Sequence, residues 1–229
     1  SQLSFAGVVL SALSAVAMAQ AAQPHVVVLA TGGTMMVARA NAPFSNVKEF
    51  VDYARKQKSM NYGTWGSGSS AHLFGELLQR QSGANLVHVP YKGQAPALQD
   101  LLGGQVTLMF GNWPEFRNHV RAGKLVAVGM ATLQRSAYAP EVPTLAEQGL
   151  KLESNSWNGV LAPRGTPDAV VQRLNADINA ALKAPAVVQA FQDGGIAALP
   201  GSPERFAAFI ASEIDKYAQV IRSARITLD

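Results

Sequence analysis

Two periodicities alternate along most of this chain. Short apolar runs of strand length, such as Val106–Phe110 and Leu125–Met130, are separated by stretches whose apolar residues recur every three or four positions. Met60–Gly63 and Asn85–Val89 read as two further strands. The helical period predicts helices from Val47 to about Lys58, from Ser70 to Gln81, from Gln94 to Leu102, and from Gly111–Pro114 to about Ala122. Asn46 and Glu49 have capping-box form, and Val47, Phe50, Val51 and Ala54 would be the inner face of the helix they start. Leu73, Phe74, Leu77 and Leu78 carry the period of the next helix. Such a βαβα alternation predicts an α/β fold with a parallel-rich sheet and helices on both faces.

The flanking regions read differently. Gln23–Thr34 predicts a buried strand ending in a Gly-Gly turn. Arg135–Pro143 is a turn-rich link, Thr144–Gln148 a predicted short helix, and Ser154–Leu161 a strand. A long helix should begin at Asp168, with Val170, Val171, Leu174, Ile178 and Leu182 as its apolar stripe. Helices over about 186–193 and 203–223, with a short strand near 196–199, complete the prediction.

The chemistry concentrates in Asn61–His72, NYGTWGSGSSAH. A strand runs into a Gly/Ser loop, which opens a helix. Free backbone N–H groups at the positive end of a helix dipole suit an anion. Ser67, Ser69 and Ser70 add hydroxyls, and no Lys follows in the P-loop pattern. The competing interpretation is an ordinary Gly/Ser turn with a Ser N-cap. His72 would stand one turn inside that helix, facing either the ligand, solvent or the core.

Composition narrows the classes. Of 229 residues 48% are hydrophobic and 15% charged, which excludes a disordered chain. A net charge of +4 without a basic stripe argues against nucleic acid as a partner. There is no cysteine, hence no disulfide or thiolate chemistry. His25, His88 and His119 lack metal-ligand spacing, so neither a metal nor another cofactor is expected. No Ser-His-Asp pattern or nucleophile elbow appears, and no catalytic residue is assigned. Residues 1–22 are apolar and Ala-rich, and Ala17-Met18-Ala19 has the small-x-small form of an export cleavage site.

With His88-Val89-Pro90-Tyr91-Lys92-Gly93 and the strings QAPALQDLLGGQV, PEVPTLAEQG and SWNGVLAPRGTP in order after the loop, the chain resembles the Bug family. These are the periplasmic solute receptors of tripartite tricarboxylate transporters, and the resemblance covers about residues 35–229. It implies a periplasmic-binding-protein-like two-lobed fold. Residues 35–155 would form the middle lobe with its anion-binding loop, and 156–229 the C-terminal helical part of the first lobe. The family's opening half-lobe, with a PFPPGG-like loop and an NRPGAGG-like segment, has no counterpart here, so the first lobe is expected to be incomplete and half the ligand clamp absent. The implied function is non-catalytic binding of a small carboxylate, presented to membrane permease subunits. Thr64, Gly66, Ser67, Gly68, Ser69 and Ser70 would hold one carboxylate. Tyr91, Lys92, Gly93, Asn112 and Trp157 would line the rest of the site.

Two rival readings stand beside it. Val26–Thr34 is similar to the start of type II asparaginases, whose nucleophile would be Thr31 here, although their second motif, of HGTDT form, is absent. A non-functional truncated remnant is the other.

Overall fold

The computed structural model describes residues 25–224; the export-like stretch lies outside them. The middle lobe is built on a five-stranded sheet of β2 (Met35–Arg39), β3 (Met60–Thr64), β4 (Leu86–Pro90), β5 (Leu108–Gly111) and β6 (Leu125–Met130), in the order β4-β3-β5-β2-β6. Strand β3 pairs parallel with β4 and β5, as the alternation predicts. Strand β2 does not follow that rule: it runs antiparallel between β5 and β6. It arrives directly from β1 (His25–Gly33), with no helix to carry the chain back for a parallel return.

Period-two alternation assigns each face of this sheet to its own helices. Met36 and Ala38 of β2 point into a core closed by α1 (Val47–Ala54) and α2 (Ser70–Ser82), through Phe50, Phe74 and Leu78. Met35 and Val37 point the other way, into a core closed by α3 (Gln94–Gly103) and α4 (Trp113–Arg121), through Leu101, Trp113 and Phe116. The start of α1 is as predicted, with the Asn46 side chain accepting from Glu49 N at 2.9 Å.

The first lobe has a smaller, wholly antiparallel sheet, in which β1 lies between β7 (Asn155–Leu161) and β8 (Ala197–Ala198). Its helices are α5 (Asp168–Leu182), α6 (Pro185–Asp193) and α7 (Pro203–Ala224). The apolar stripe expected on α5 is only partly used. Val171 and Leu182 are buried, but the centre of the inner face is Asn175, whose side chain donates to Val26 O at 2.7 Å and Gly201 O at 2.8 Å. Val170 and Leu174 stay 46% and 40% exposed.

Two further expectations change. Gly32 and Gly33 do not turn; they continue β1 opposite Ser156 and Asn155. A Cβ on Gly33 would stand 2.4 Å from Thr132 Cγ2 and 2.9 Å from Met130 Cγ, so close approach explains this glycine. Thr144–Gln148 closes into one turn and no helix. Thr144 and Glu147 exchange backbone-to-side-chain bonds at 2.9 Å, yet a capped single turn does not propagate.

The lobes join where two chain crossings meet. Thr34 N donates to Ser154 O (3.0 Å), Ala131 N to Thr34 O (2.8 Å), and Ser154 N to Ala131 O (2.9 Å). The buried Thr34 and Ser154 hydroxyls lie 3.2 Å apart, and Ser154 Oγ is 3.4 Å from Tyr217 Oη of α7.

Candidate functional site

Strands β3, β4 and β5 end together on one edge of the middle lobe, where α2, α3 and α4 begin. Three helix N-termini thus sit at the carboxyl ends of neighbouring parallel strands, the usual location of ligand sites in α/β sheets.

The loop from Thr64 to Ser70 is held by its own polar groups. Gly66 and Gly68 adopt φ of 147° and 70°, which side-chain-bearing residues rarely tolerate. Ser69 is the N-cap of α2: its hydroxyl donates to Gly66 O at 2.7 Å and accepts from His72 N at 3.3 Å. Thr64 is fully buried, and its hydroxyl donates to Gly66 O at 3.2 Å and accepts from Gly66 N at 3.3 Å. The Gly68 amide donates to His72 Nδ1 at 3.1 Å. The Thr64 and Ser69 hydroxyls therefore shape the loop. Exposed Ser67, half-buried Ser70 and the Ser70 amide, which has no intrahelical acceptor, are not used in holding the loop, whereas Ala71 is fully buried.

The second loop docks on the first, with Tyr91 N donating to Thr64 O at 2.9 Å. Gly93 is the N-cap of α3 and contributes no side-chain cap, while Pro96 in the first turn has no N–H to offer. The amides of Gln94 and Ala95 remain. Tyr91 donates its hydroxyl to Asp100 Oδ2 at 2.7 Å; burial and that carboxylate push its pKa up to about 12, so it stays a neutral donor. Lys92 is exposed beside it.

Asn112 caps α4 by position, but its side chain accepts from Ser156 Oγ at 2.9 Å, joining the site edge to the crossing strand β7. Trp157 is set apart: its ring packs edge-on against Phe206 and Phe209 of α7, at 5.9 and 5.4 Å. The structure thus gathers Thr64, Gly66–Ser70, Tyr91–Gly93 and Asn112 on one edge and places Trp157 in the core of the first lobe. Sequence reasoning passed over Gln94 and Glu115, whose Oε1 and Oε2 atoms are buried and unbonded among the described residues. Burial raises the pKa of Glu115. Their only signal was a place in the first turn of a helix.

Thr31 lies elsewhere, within β1, on a groove of about 830 Å³ near the link 132–138. Among the described residues no acidic or histidine side chain lines that groove.

A two-lobed α/β body with an anion-ready strand edge defines the periplasmic-binding-protein class. Within it, residues 17–226 match the tripartite tricarboxylate transporter family receptor, and the chain belongs to that family. It is 42% identical over 156 residues to the protein BugT of Bordetella pertussis, an alignment covering 68% of this chain and 48% of BugT. Among solved structures, Rpa4515 of Rhodopseudomonas palustris with adipate is 32% identical, with a TM-score of 0.79 over 90% of this chain and 69% of that one. MatC of the same organism with bound malate is 30% identical, with a TM-score of 0.75 over 87% and 69%. The chain spans 48% to 61% of the length of BugT and similar curated relatives. Receptors of this family are periplasmic, and no helix among the described residues is long and apolar enough to cross a membrane.

Proposed function

We propose that this chain is a periplasmic, non-catalytic receptor that holds one carboxylate of a small dicarboxylic acid on the edge formed by the α2, α3 and α4 N-termini, for delivery to membrane permease subunits. The observation that carries this reading is the start of α2. Ser69 and Thr64 satisfy the inner side of the loop, leaving the Ser70 amide to a ligand. Ser67 and the Gln94 and Ala95 amides complete the ring of donors. Adipate and malate in the solved relatives fit the same chemistry.

The test is a thermal-shift and calorimetric screen with malate and adipate, and asparagine as the control for the rival hydrolase. A dicarboxylate at about 100 times its Kd should stabilise the protein by about 2.7 kcal/mol. Ser70→Pro removes both the amide and the hydroxyl donor of Ser70 at a helix position that tolerates proline, so it should weaken binding at least about tenfold without lowering Tm. Ammonia release from asparagine, or a Ser70→Pro protein that binds as well as the wild type, would overturn the assignment.

A further inference from the structure

Beneath the loop lies a cluster that touches no ligand position yet contacts the loop at two points. His72 of α2 and His88 of β4 stack with ring centroids 3.8 Å apart and planes 14° from parallel. His72 Nδ1 accepts from the Gly68 amide, and a nitrogen that accepts carries no proton. The proton of neutral His72 therefore sits on Nε2, which lies 3.7 Å from Glu76 Oε1. His88 Nε2 lies 2.6 Å from Thr64 Oγ1, the hydroxyl that binds both the amide and the carbonyl of Gly66. The imidazole pair thus underpins Gly66 through Thr64 and Gly68 directly.

We propose that His72 is a positioning residue for the anion loop: its uncharged imidazole holds Gly68, and one proton on Nδ1 releases the loop and lowers carboxylate affinity. The effect on affinity rests on the receptor reading above, whereas the coupling of His72 to Gly68 does not. Once Nδ1 is protonated, two N–H donors face each other and the Gly68 amide loses its acceptor. The Ser70 amide follows two residues on, so its aim at the ligand is lost with it.

The surroundings set the direction. Glu76 on the same helix faces Nε2, and Tyr62 of β3 donates its hydroxyl to Glu76 Oε1 at 3.4 Å while its ring stacks obliquely on His88 at 5.2 Å. Helix α7 packs on α2 through Tyr217 and Val220 against Leu73, and carries the Lys216–Glu213 pair. A charged Glu76 would favour imidazolium at His72, but burial raises the pKa of that carboxyl as well. Burial lowers the pKa of His72 and, with the charge of its neighbour, that of His88. Stacking allows at most one of the two rings to charge. The loop is therefore held at neutral pH and released on acidification.

The experiment begins with ligand-free, ¹⁵N-labelled protein, following the Gly68 amide and the His72 ring by NMR from pH 7.5 to 4.5. The Gly68 resonance should move with the midpoint of His72. In His72→Asn, where Oδ1 takes the place of Nδ1 and cannot be protonated, Gly68 should stay bonded and stop titrating. A wild-type Gly68 amide indifferent to His72, or one that titrates identically in the variant, would overturn the proposal. The wild-type titration alone decides this if the variant does not fold. Calorimetry with malate and adipate then reads the effect on binding. The wild-type affinity, relative to His72→Asn, should fall about tenfold for each pH unit below the His72 midpoint. A constant ratio would also overturn the proposal. If neither acid binds at pH 7.5, the receptor assignment fails, and the Gly68 titration still decides the coupling.

Discussion

The two lobes are built from similar elements but finished to different degrees. The middle lobe covers both faces of a five-stranded sheet, with 19 buried residues in one cluster and 12 in the other. Among the described residues the first lobe has three strands, one of them two residues long, and clusters of four and three buried residues around Val26, Val27 and Phe206. The solved relatives extend beyond what this chain covers, which reaches 69% of their length. Every group proposed to bind the carboxylate stands on the finished lobe. Ligand-induced closure requires contacts that favour the closed state from both sides. On the proposed reading recognition and closure are separable: the middle lobe would hold an anion whether or not the first lobe can clamp it.

The largest test of this contrast is to damage each core in turn. Phe110 is fully buried between Tyr62 and Phe74, and Phe110→Ala should cost about 3–5 kcal/mol. Trp65 and Trp113 report on the middle lobe and Trp157 on the first, so single-tryptophan variants resolve the two denaturant transitions. Phe206→Ala should move the Trp157 transition and leave that of Trp113 in place. Equal shifts in both would show one cooperative unit and remove the contrast.

The next effect lies at the crossing. Ser154→Ala deletes a buried hydroxyl shared by Thr34 and Tyr217, and leaving those partners unsatisfied should cost about 1–3 kcal/mol. Ser154 connects Tyr217 of α7 to Thr34 of the other chain crossing. Its loss should therefore separate the two tryptophan transitions further. Merged transitions in this variant would place the coupling in the packing of α2 on α7 instead.

The same contrast governs how far the sequence could be read. In the middle lobe each helix has its period and a strand on either side, and α1 and α2 also have side-chain caps, so Asn46, Ser69 and the apolar faces of α1 and α2 follow from local rules. The direction of β2 does not, because strand polarity is set by what lies beside it after folding. The candidate site could be pointed to in the sequence as a place, the loop before α2, but not in its division of labour. Ser67, Ser69 and Ser70 look alike in sequence; only the fold turns Ser69 inward to Gly66 O and leaves Ser70 at the open end of the helix. Tyr91 likewise gave no sign that its hydroxyl is taken by Asp100, nine residues on. On α5 the apolar stripe misled, since Asn175 satisfies two carbonyls of the first lobe and fixes a rotation that leaves Val170 and Leu174 outside.

Acid should act more strongly on the middle lobe. Burial and neighbouring His72 hold the pKa of His88 at about 4, against 6.5 for a free imidazole. Between those values the unfolded chain binds more protons, so stability is fully present above about pH 6.5 and declines as pH falls toward 4. The middle-lobe transition should show that slope, and His88→Gln should flatten it. In the first lobe His25, edge-on to Phe206 at 5.5 Å, is also lowered by burial and gives the Trp157 transition a slope of the same sign. A middle-lobe transition that stays level from pH 6.5 to 4 would show that His88 titrates normally.

The smallest change in stability is expected where the first lobe is open. Leu174→Gln, alone or with Val170→Thr, alters side chains that are 40% and 46% exposed and should shift stability by no more than about 0.5 kcal/mol. An uncovered apolar face favours self-association, so sedimentation velocity should show the wild type associating with rising concentration and the double variant less so. A wild type that stays monomeric at every concentration would mean that these two side chains are ordinary surface residues. Association that persists unchanged in the variant would place the contact elsewhere. In either case the middle lobe should bind its proposed carboxylate unaltered, because α5 packs on β1 of the first lobe through Val171 and Ile178.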